Sequence, residues 1–360
     1  MPVDEGKTIK GRGAVSSPTP RFDHTVSVAV DDGWNAGDDP DFPSSDPATT
    51  FLPDKTKNLI ATNRSPDIPF DQSINPYKGC EHGCIYCYAR PTHAYLDLSP
   101  GLDFETRIFY KTHPALRLRE ALDHPRYVCR TLAMGTNTDP YQPGEKRFGI
   151  TRAILETLLE YRHPVSIVTK GGLILRDIDL LGELAELGLA SVAVSVTTLD
   201  NRLKTVLEPR TAGPSARLKV IRRMSEAGVP VHAMMAPVIP FINDEEIENV
   251  VAKVAEAGAR DASYVMLRLP LEVEGLFRDW LEEHFPMRAE RVMACVRDMH
   301  GGRAYQPEWG TRMRGRGAFA DLIAARFGRR AKRRAGLGQE ESTPLRTDLF
   351  RRPNAPPTLF

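Results

Sequence analysis

No stretch of the 360-residue chain approaches the roughly 18–20 consecutive apolar residues that a membrane-spanning helix requires, so a helical membrane protein is excluded. The opening MPVDEGKTIKGRG has neither an apolar core nor a cleavage pattern, and no secretory leader is expected. Neither sign of charge prevails: 48 Lys and Arg against 47 Asp and Glu leave +1, which names no partner. Cysteine is scarce and odd in number, five in all, which argues against a disulfide framework. Yet three of the five crowd into one stretch, INPYKGCEHGCIYCYARPTHAY (74–95), as Cys80, Cys84 and Cys87. Their spacing, C-x3-C-x2-C, reads as a metal or cluster site in a reducing cytoplasm.

Residues 1–60 are rich in Pro, Gly, Asp, Ser and Thr and show no sustained period, so an irregular N-terminal extension is expected. Beyond the cysteines, short β-branched runs recur at 126–135, 165–170, 190–197, 229–238 and 262–269, and DQSIN (71–75) makes a sixth. DQSIN comes first in chain order, so Cys129 falls at the start of the second strand, the run 126–135. Amphipathic stripes lie between the runs. Ala216, Val220, Met224 and Ala227 mark one helix, with Pro214 in its first turn and Gly228 at its stop. Ile247, Val251 and Val254 mark another, opened by Asn243 and Glu246 as a capping box. Alternating strands and helices imply a parallel sheet. About six units fit residues 61–270, giving an α/β fold with a partial (β/α)6 TIM-like barrel whose strand-end loops share one face. Residues 271–326 read as a helical C-terminal extension and 327–360 as a basic, flexible tail. Six cations between Arg326 and Arg334 suit either a solvated face or phosphate contacts.

Three readings compete for the cysteines. Buried thiols in a loop fit poorly with Gly79, Gly83 and their polar neighbours. Structural zinc would need a fourth ligand, His82 or His93, and the usual distant second pair of ligands is missing. An iron–sulfur cluster normally takes four thiolates, so three would leave one iron open.

At this point a resemblance enters. C-x3-C-x-aromatic-C directly after a first strand, followed by a β/α series over about residues 70–270, resembles the radical S-adenosylmethionine superfamily. GTNTDPYQPGEK (135–146), VTKGG (168–172), SVTTLD (195–200), LEPRTAGPSARL (207–218), APVIPFIND (236–244) and LRLP (267–270) together resemble a branch related to spore photoproduct lyase, a DNA-repair radical enzyme. The resemblance implies a [4Fe–4S] cluster on Cys80, Cys84 and Cys87. Its open iron would be chelated by the amino and carboxylate groups of S-adenosylmethionine. Reductive cleavage of that cosubstrate would give methionine and a 5′-deoxyadenosyl radical. An electron donor such as a flavodoxin or ferredoxin, and a nucleic-acid substrate, are implied in the same way.

For the cosubstrate, the loop after the second strand is expected to receive the methionyl ammonium, through backbone carbonyls and Thr136, Asn137, Thr138 and Asp139. The family's usual Gly-Gly-Glu triplet is absent there. Tyr86, the aromatic residue of the cysteine motif, is counted with the cosubstrate contacts. Lys170 at the third strand's mouth and Arg210 in LEPR are expected to pair with the carboxylate, with Glu208 orienting Arg210. Ser195 is expected to bond the ribose or carboxylate, against the plainer reading of a strand serine bonded to backbone. Val238 and Ile239 suit a face against adenine, or plain core. Cys129 and Cys295 read as buried hydrophobes, and neither matches the hydrogen-returning cysteine attributed to spore photoproduct lyase. The reading from another class is a zinc- or cluster-containing nucleic-acid-binding module without radical chemistry.

Overall fold

The computed structural model of the protein describes residues 9–22, 48–56, 58–339 and 343–353. Along them run β1 (Thr50–Asp54), β2 (Ile60–Thr62), β3 (Gln72–Ile74), β4 (Tyr77–Lys78), β5 (Arg107–Lys111), β6 (Leu132–Met134), β7 (Val165–Thr169), β8 (Ala190–Ser195), β9 (Val231–Val238) and β10 (Asp261–Met266). The six expected strands form one parallel array in the order β10-β9-β8-β7-β6-β3, and β2 adds to the β3 edge in antiparallel sense. Val165, Ile167 and Thr169 of β7 face the core beside Ala190, Val192 and Val194 of β8, the period of two that a covered sheet face imposes. Helices Ile150–Glu160, Ile178–Glu186, Pro214–Glu226 and Ile247–Glu256 follow β6 to β9 in turn and bury their apolar stripes. The architecture is the open (β/α)6 barrel, and the C-terminal ends of the strands share one mouth.

The helix Pro214–Glu226 departs from its expected stripe. Ala216 is exposed, and Arg217 turns inward with Val220, Ile221 and Met224, because a buried carboxylate awaits it. The capping box does not form either. Glu246 instead accepts the Thr198 hydroxyl and the Leu199 amide, while Asn243 Oδ1 accepts the Ile239 amide. The second barrel strand begins at Leu132, so Cys129 lies ahead of it and is half-buried.

The described parts of the expected irregular extension, 9–22 and 48–60 apart from residue 57, contribute structure, and the rest of that expectation lies outside the described residues. β1 pairs in parallel with β5, and β4 pairs antiparallel with β5, as a second small sheet beside the barrel. Residues 12–18 strap across the start of the barrel. Arg12 donates to the Glu105 carbonyl, Ser16 to Asp279 and Ser17 to Ser99. The described parts of the expected flexible tail, 327–339 and 343–353, likewise make contacts, and the rest of that expectation lies outside the described residues. Arg329–Arg334 is helical, and Lys332 reaches Asp261 at the edge of β10. Arg346 and Arg351 donate backbone N–H groups to the carbonyls of Gly188 and Tyr161. Phe350 packs against Tyr127, Tyr161 and His163 beneath the barrel. After Val273–His284 and Ala289–Met299, the helix Ala318–Arg326 completes the helical C-terminal region.

Candidate active site

The cysteine loop leaves β4 through Gly79, at φ +78°, where an added Cβ would crowd His93 and Ile108 at 2.9 Å. Gly83 repeats the device at φ +67°. Three successive turns wind the chain past the thiols, with Gly83 N–H bonding Cys80 O, Cys87 N–H bonding Cys84 O, and Arg90 N–H bonding Cys87 O. Cys80 and Cys84 are buried, and Cys87 is half-buried against Cys80, Ala89 and Phe104. Beneath the loop lies Arg90, with no solvent exposure. It donates to the carbonyls of Gly83, Cys84, Pro100 and Gly101 and pairs with Glu105. Glu105 also accepts the backbone N–H groups of Gly13 and Ala14 at 3.0 and 2.9 Å. The strap is thus tied to the loop through one buried carboxylate.

The loop after β6 folds onto this platform. Asn75 Oδ1 accepts the Asn137 amide at 3.0 Å and the Thr136 hydroxyl at 3.3 Å. Thr138 donates its hydroxyl to the Tyr77 carbonyl, and Tyr88 donates to the Thr136 carbonyl. Asp139 accepts from Thr169 Oγ1, from the amides of Lys170 and Tyr141, and sits 3.3 Å from His82 Nδ1. Burial pushes its pKa up, but His82 and these donors outweigh it and hold the carboxyl at about 2. Asp139 therefore joins the ends of β6 and β7 to the cysteine loop.

Lys170 projects from the end of β7 with its ammonium 5.8 Å from the centre of the Tyr86 ring, and no ion pair engages it among the described residues. Ser195 is buried and reaches the Ala236 carbonyl at 3.4 Å. Arg210, expected at the carboxylate, lies against the cysteine loop. It pairs with Glu81 at 3.1 Å, and its amide bonds the His82 carbonyl. Glu208 does not orient Arg210; it pairs with Arg217 and accepts the hydroxyls of Tyr86 and Thr197. Val238 and Ile239 have no exposed surface, so they are core. Cys129 and Cys295 are each only half-buried.

The residues that periodicity did not mark are the polar ones underneath: Arg90, Glu105, Gln142, Glu208 and Arg217, all buried. Gln142 bridges the loop, accepting from the Glu81 amide and donating to the Gly79 carbonyl. Their only signal in the sequence was position, within or next to the motifs.

The donor set suits a cluster. Burial pushes the Cys84 thiol up to about 12, with Glu208 adding to the rise and Lys170 opposing it. Burial likewise raises Cys80 well above the ordinary thiol value, and Asp139, Cys84 and Cys87 add to that rise. The three sulfurs therefore share one electrostatic neighbourhood. Among the described residues no three His, Cys, Asp or Glu side chains converge as a single-ion site. Three thiols on one loop are the donor type that an iron–sulfur cluster takes.

Comparison with known proteins agrees. The Radical SAM superfamily profile matches residues 74–254, just over half the chain. An uncharacterized protein of Mycobacterium tuberculosis (strain ATCC 25618 / H37Rv) is 40% identical over 242 residues, which cover 66% of this chain and 71% of the relative. An uncharacterized protein of Methanocaldococcus jannaschii is 27% identical over 238 residues, covering 66% and 85% respectively. Among solved structures, a variant of spore photoproduct lyase shares the fold with a TM-score of 0.52 at 14% identity, over 79% of this chain and 78% of that one. No helix of the described residues is long and apolar enough to cross a membrane. With a cysteine loop at the mouth of an open (β/α)6 barrel, the chain belongs to the radical S-adenosylmethionine superfamily, enzymes whose cofactors are a [4Fe–4S] cluster and S-adenosylmethionine.

Proposed function

We propose that this enzyme holds its cluster on Cys80, Cys84 and Cys87 and binds S-adenosylmethionine across the barrel mouth. The chemistry these groups supply when bound is one-electron cleavage of a carbon–sulfur bond, giving methionine and a 5′-deoxyadenosyl radical. The observation that carries the reading is the placement of three cysteines on one loop, after the first strand of a parallel six-stranded array, over a buried polar platform. Lys170 is the residue we assign to the methionyl carboxylate, since its ammonium lies near Tyr86 and Cys84 and makes no direct ion pair among the described residues, Glu208 acting on it only at longer range. Backbone carbonyls of 137 and 138 and the Asn137 side chain are left to receive the ammonium, because Tyr88 takes the Thr136 carbonyl and Thr138 and Asp139 spend their side chains inside the protein. Ser195, weakly bonded at 3.4 Å, retains capacity for a ribose hydroxyl. Arg210 is assigned to the cysteine loop through Glu81.

For the substrate we favour a nucleic acid. Tyr88, directly after Cys87, is 42% exposed, and the Arg268 guanidinium lies 4.2 Å from its ring centre at the end of β10. A flat ring with a cation on it suits a base and its phosphate. The electron donor would be a flavodoxin or ferredoxin, and the five free thiols suit the cytoplasm. Anaerobic reconstitution followed by product analysis tests the reading. Brown protein that releases methionine and 5′-deoxyadenosine under reduction supports it. Colourless zinc protein that binds nucleic acid without turnover favours a binding module instead.

A further inference from the structure

The mechanism so far makes no use of Glu208, a carboxylate with no exposed surface one loop away from the cysteines. Three elements converge on it. The helix Asn201–Leu207 ends at Glu208, and Pro209 holds the residue before it out of helical conformation. Arg217 reaches it from the helix Pro214–Glu226, and Thr197 donates from just beyond β8 at 2.7 Å. Arg217 cannot swing away. It also donates to the carbonyls of Ala212 and Ser195 at 2.8 and 2.9 Å and to the Thr211 hydroxyl at 2.6 Å.

What the anchored carboxylate holds is Tyr86, whose hydroxyl donates to it from the residue between Ile85 and Cys87. The main chain of the same stretch reinforces the grip. Ile85 N–H bonds the Leu207 carbonyl at 3.2 Å, and Arg210 N–H bonds the His82 carbonyl at 3.2 Å. Residues 207–210 therefore lie along 82–86 and fasten the loop at three points. A fully buried ion pair seldom stabilises a fold better than apolar side chains of the same volume would. Its value here is directional, since a carboxylate fixed by three elements defines where a phenol must sit.

We infer that Glu208 is a positioning residue for the cluster. Clamped by Arg217 and Thr197, it holds Tyr86 by the hydroxyl and so keeps the Cys84–Cys87 segment in ligating geometry before iron arrives. The inference rests on the cluster reading above. It gives Glu208 no contact with substrate. It also sets the charge beside Cys84, where Glu208 opposes Lys170 and Arg217.

The test uses full-length protein, reconstituted anaerobically, as wild type, Tyr86→Phe and Glu208→Gln. Tyr86→Phe keeps the ring and the Glu208–Arg217 pair, so it retains the fold. The readouts are the rate of iron loss to a chelator and the cluster's midpoint potential. We expect Tyr86→Phe to lose iron about tenfold faster, the size of one charge-assisted hydrogen bond, with little change in potential. Glu208→Gln should lose iron faster and also shift the potential positive, since Arg217 is left uncompensated. Ile154→Val, a core substitution in the helix Ile150–Glu160, should release iron at the wild-type rate. Wild-type protein that takes up no iron would sink the cluster reading and this inference together. Wild-type protein that loads fully, while Tyr86→Phe releases iron within twofold of its rate, would sink this inference alone.

Discussion

Arg90 and Glu105 form an ion pair in which neither side chain has solvent exposure, directly under the turn that carries Cys84. The guanidinium spends its other donors on four carbonyls of the cysteine loop and the following turn, so it acts as a rivet. Breaking a buried pair from one side leaves a charge uncompensated and costs about 3–5 kcal/mol. Arg90→Gln is expected to lower the unfolding free energy by that order, with a lower denaturant midpoint, and to reduce iron uptake. Arg90→Lys should rescue little, because an ammonium cannot reproduce the planar fork. Equilibrium unfolding of the apo-protein, beside iron analysis, checks both.

The N-terminal strap carries a second prediction. A Cβ on Gly13 would lie 1.8 Å from the Gly83 carbonyl oxygen, closer than any side chain permits. Gly13→Val should lift the strap off Glu105 and free the two amides it contributes. The expected cost is about 1–3 kcal/mol. The more telling outcome is a cluster that bleaches faster in air, read from its visible absorption over time.

Lys170 and Arg210 were read alike from the sequence, and the geometry separates them. Lys170→Ala should keep the brown cluster and weaken S-adenosylmethionine binding about ten- to a hundredfold, the worth of a lost charge-assisted contact. Arg210→Ala should instead leave Glu81, already carrying one unpartnered buried oxygen, without its cation and loosen the loop. Anaerobic titration calorimetry with iron analysis on both variants separates the roles. Equal loss of affinity with intact iron in both would return Arg210 to the carboxylate.

The barrel was legible because its strands are short β-branched runs between amphipathic helices, a pattern local in the chain. The cysteine motif was legible because its spacing is itself the chemistry. The small sheet was not. β1 contains Pro53, β4 spans two residues, and both gain their partner only when β5 arrives from more than thirty residues away. Arg217 was missed for a related reason: helical periodicity ranks apolar positions and gave the inward face to Ala216. A buried arginine makes sense only once Glu208 is beside it in space. Asn243 and Glu246 matched a local cap, yet tertiary partners claimed both side chains.

Ionisation makes a prediction in two directions. Glu208 and Asp139 are both held at about 2, although burial acts to raise each; Arg217 and Lys170 for the one, and His82 for the other, prevail. Depressed carboxylates contribute stability that is present above their unfolded values and lost as pH falls towards 2. The apo-protein should therefore weaken steeply below about pH 4. The thiols act oppositely. Cys84, raised to about 12, stays protonated in the fold while the unfolded chain ionises near 9, so stability falls as pH rises above that value. Loading iron must expel those protons, and uptake by the apo-protein should strengthen from pH 6 to 9. Thermal melts across pH, with iron uptake followed beside them, read all three trends.

The central claim is that Cys80, Cys84 and Cys87 hold the cluster at which S-adenosylmethionine is cleaved. The direct measurement is iron content and 5′-deoxyadenosine release from anaerobically reconstituted wild type and five single Cys→Ala variants. Cys80→Ala, Cys84→Ala and Cys87→Ala should each lose the reduced-cluster signal and all cleavage, because each thiolate takes a different iron. Cys129→Ala and Cys295→Ala, with thiols outside the barrel mouth, should keep both. Loss of iron in Cys129→Ala as complete as in Cys84→Ala, or cleavage surviving in Cys84→Ala, would contradict the account.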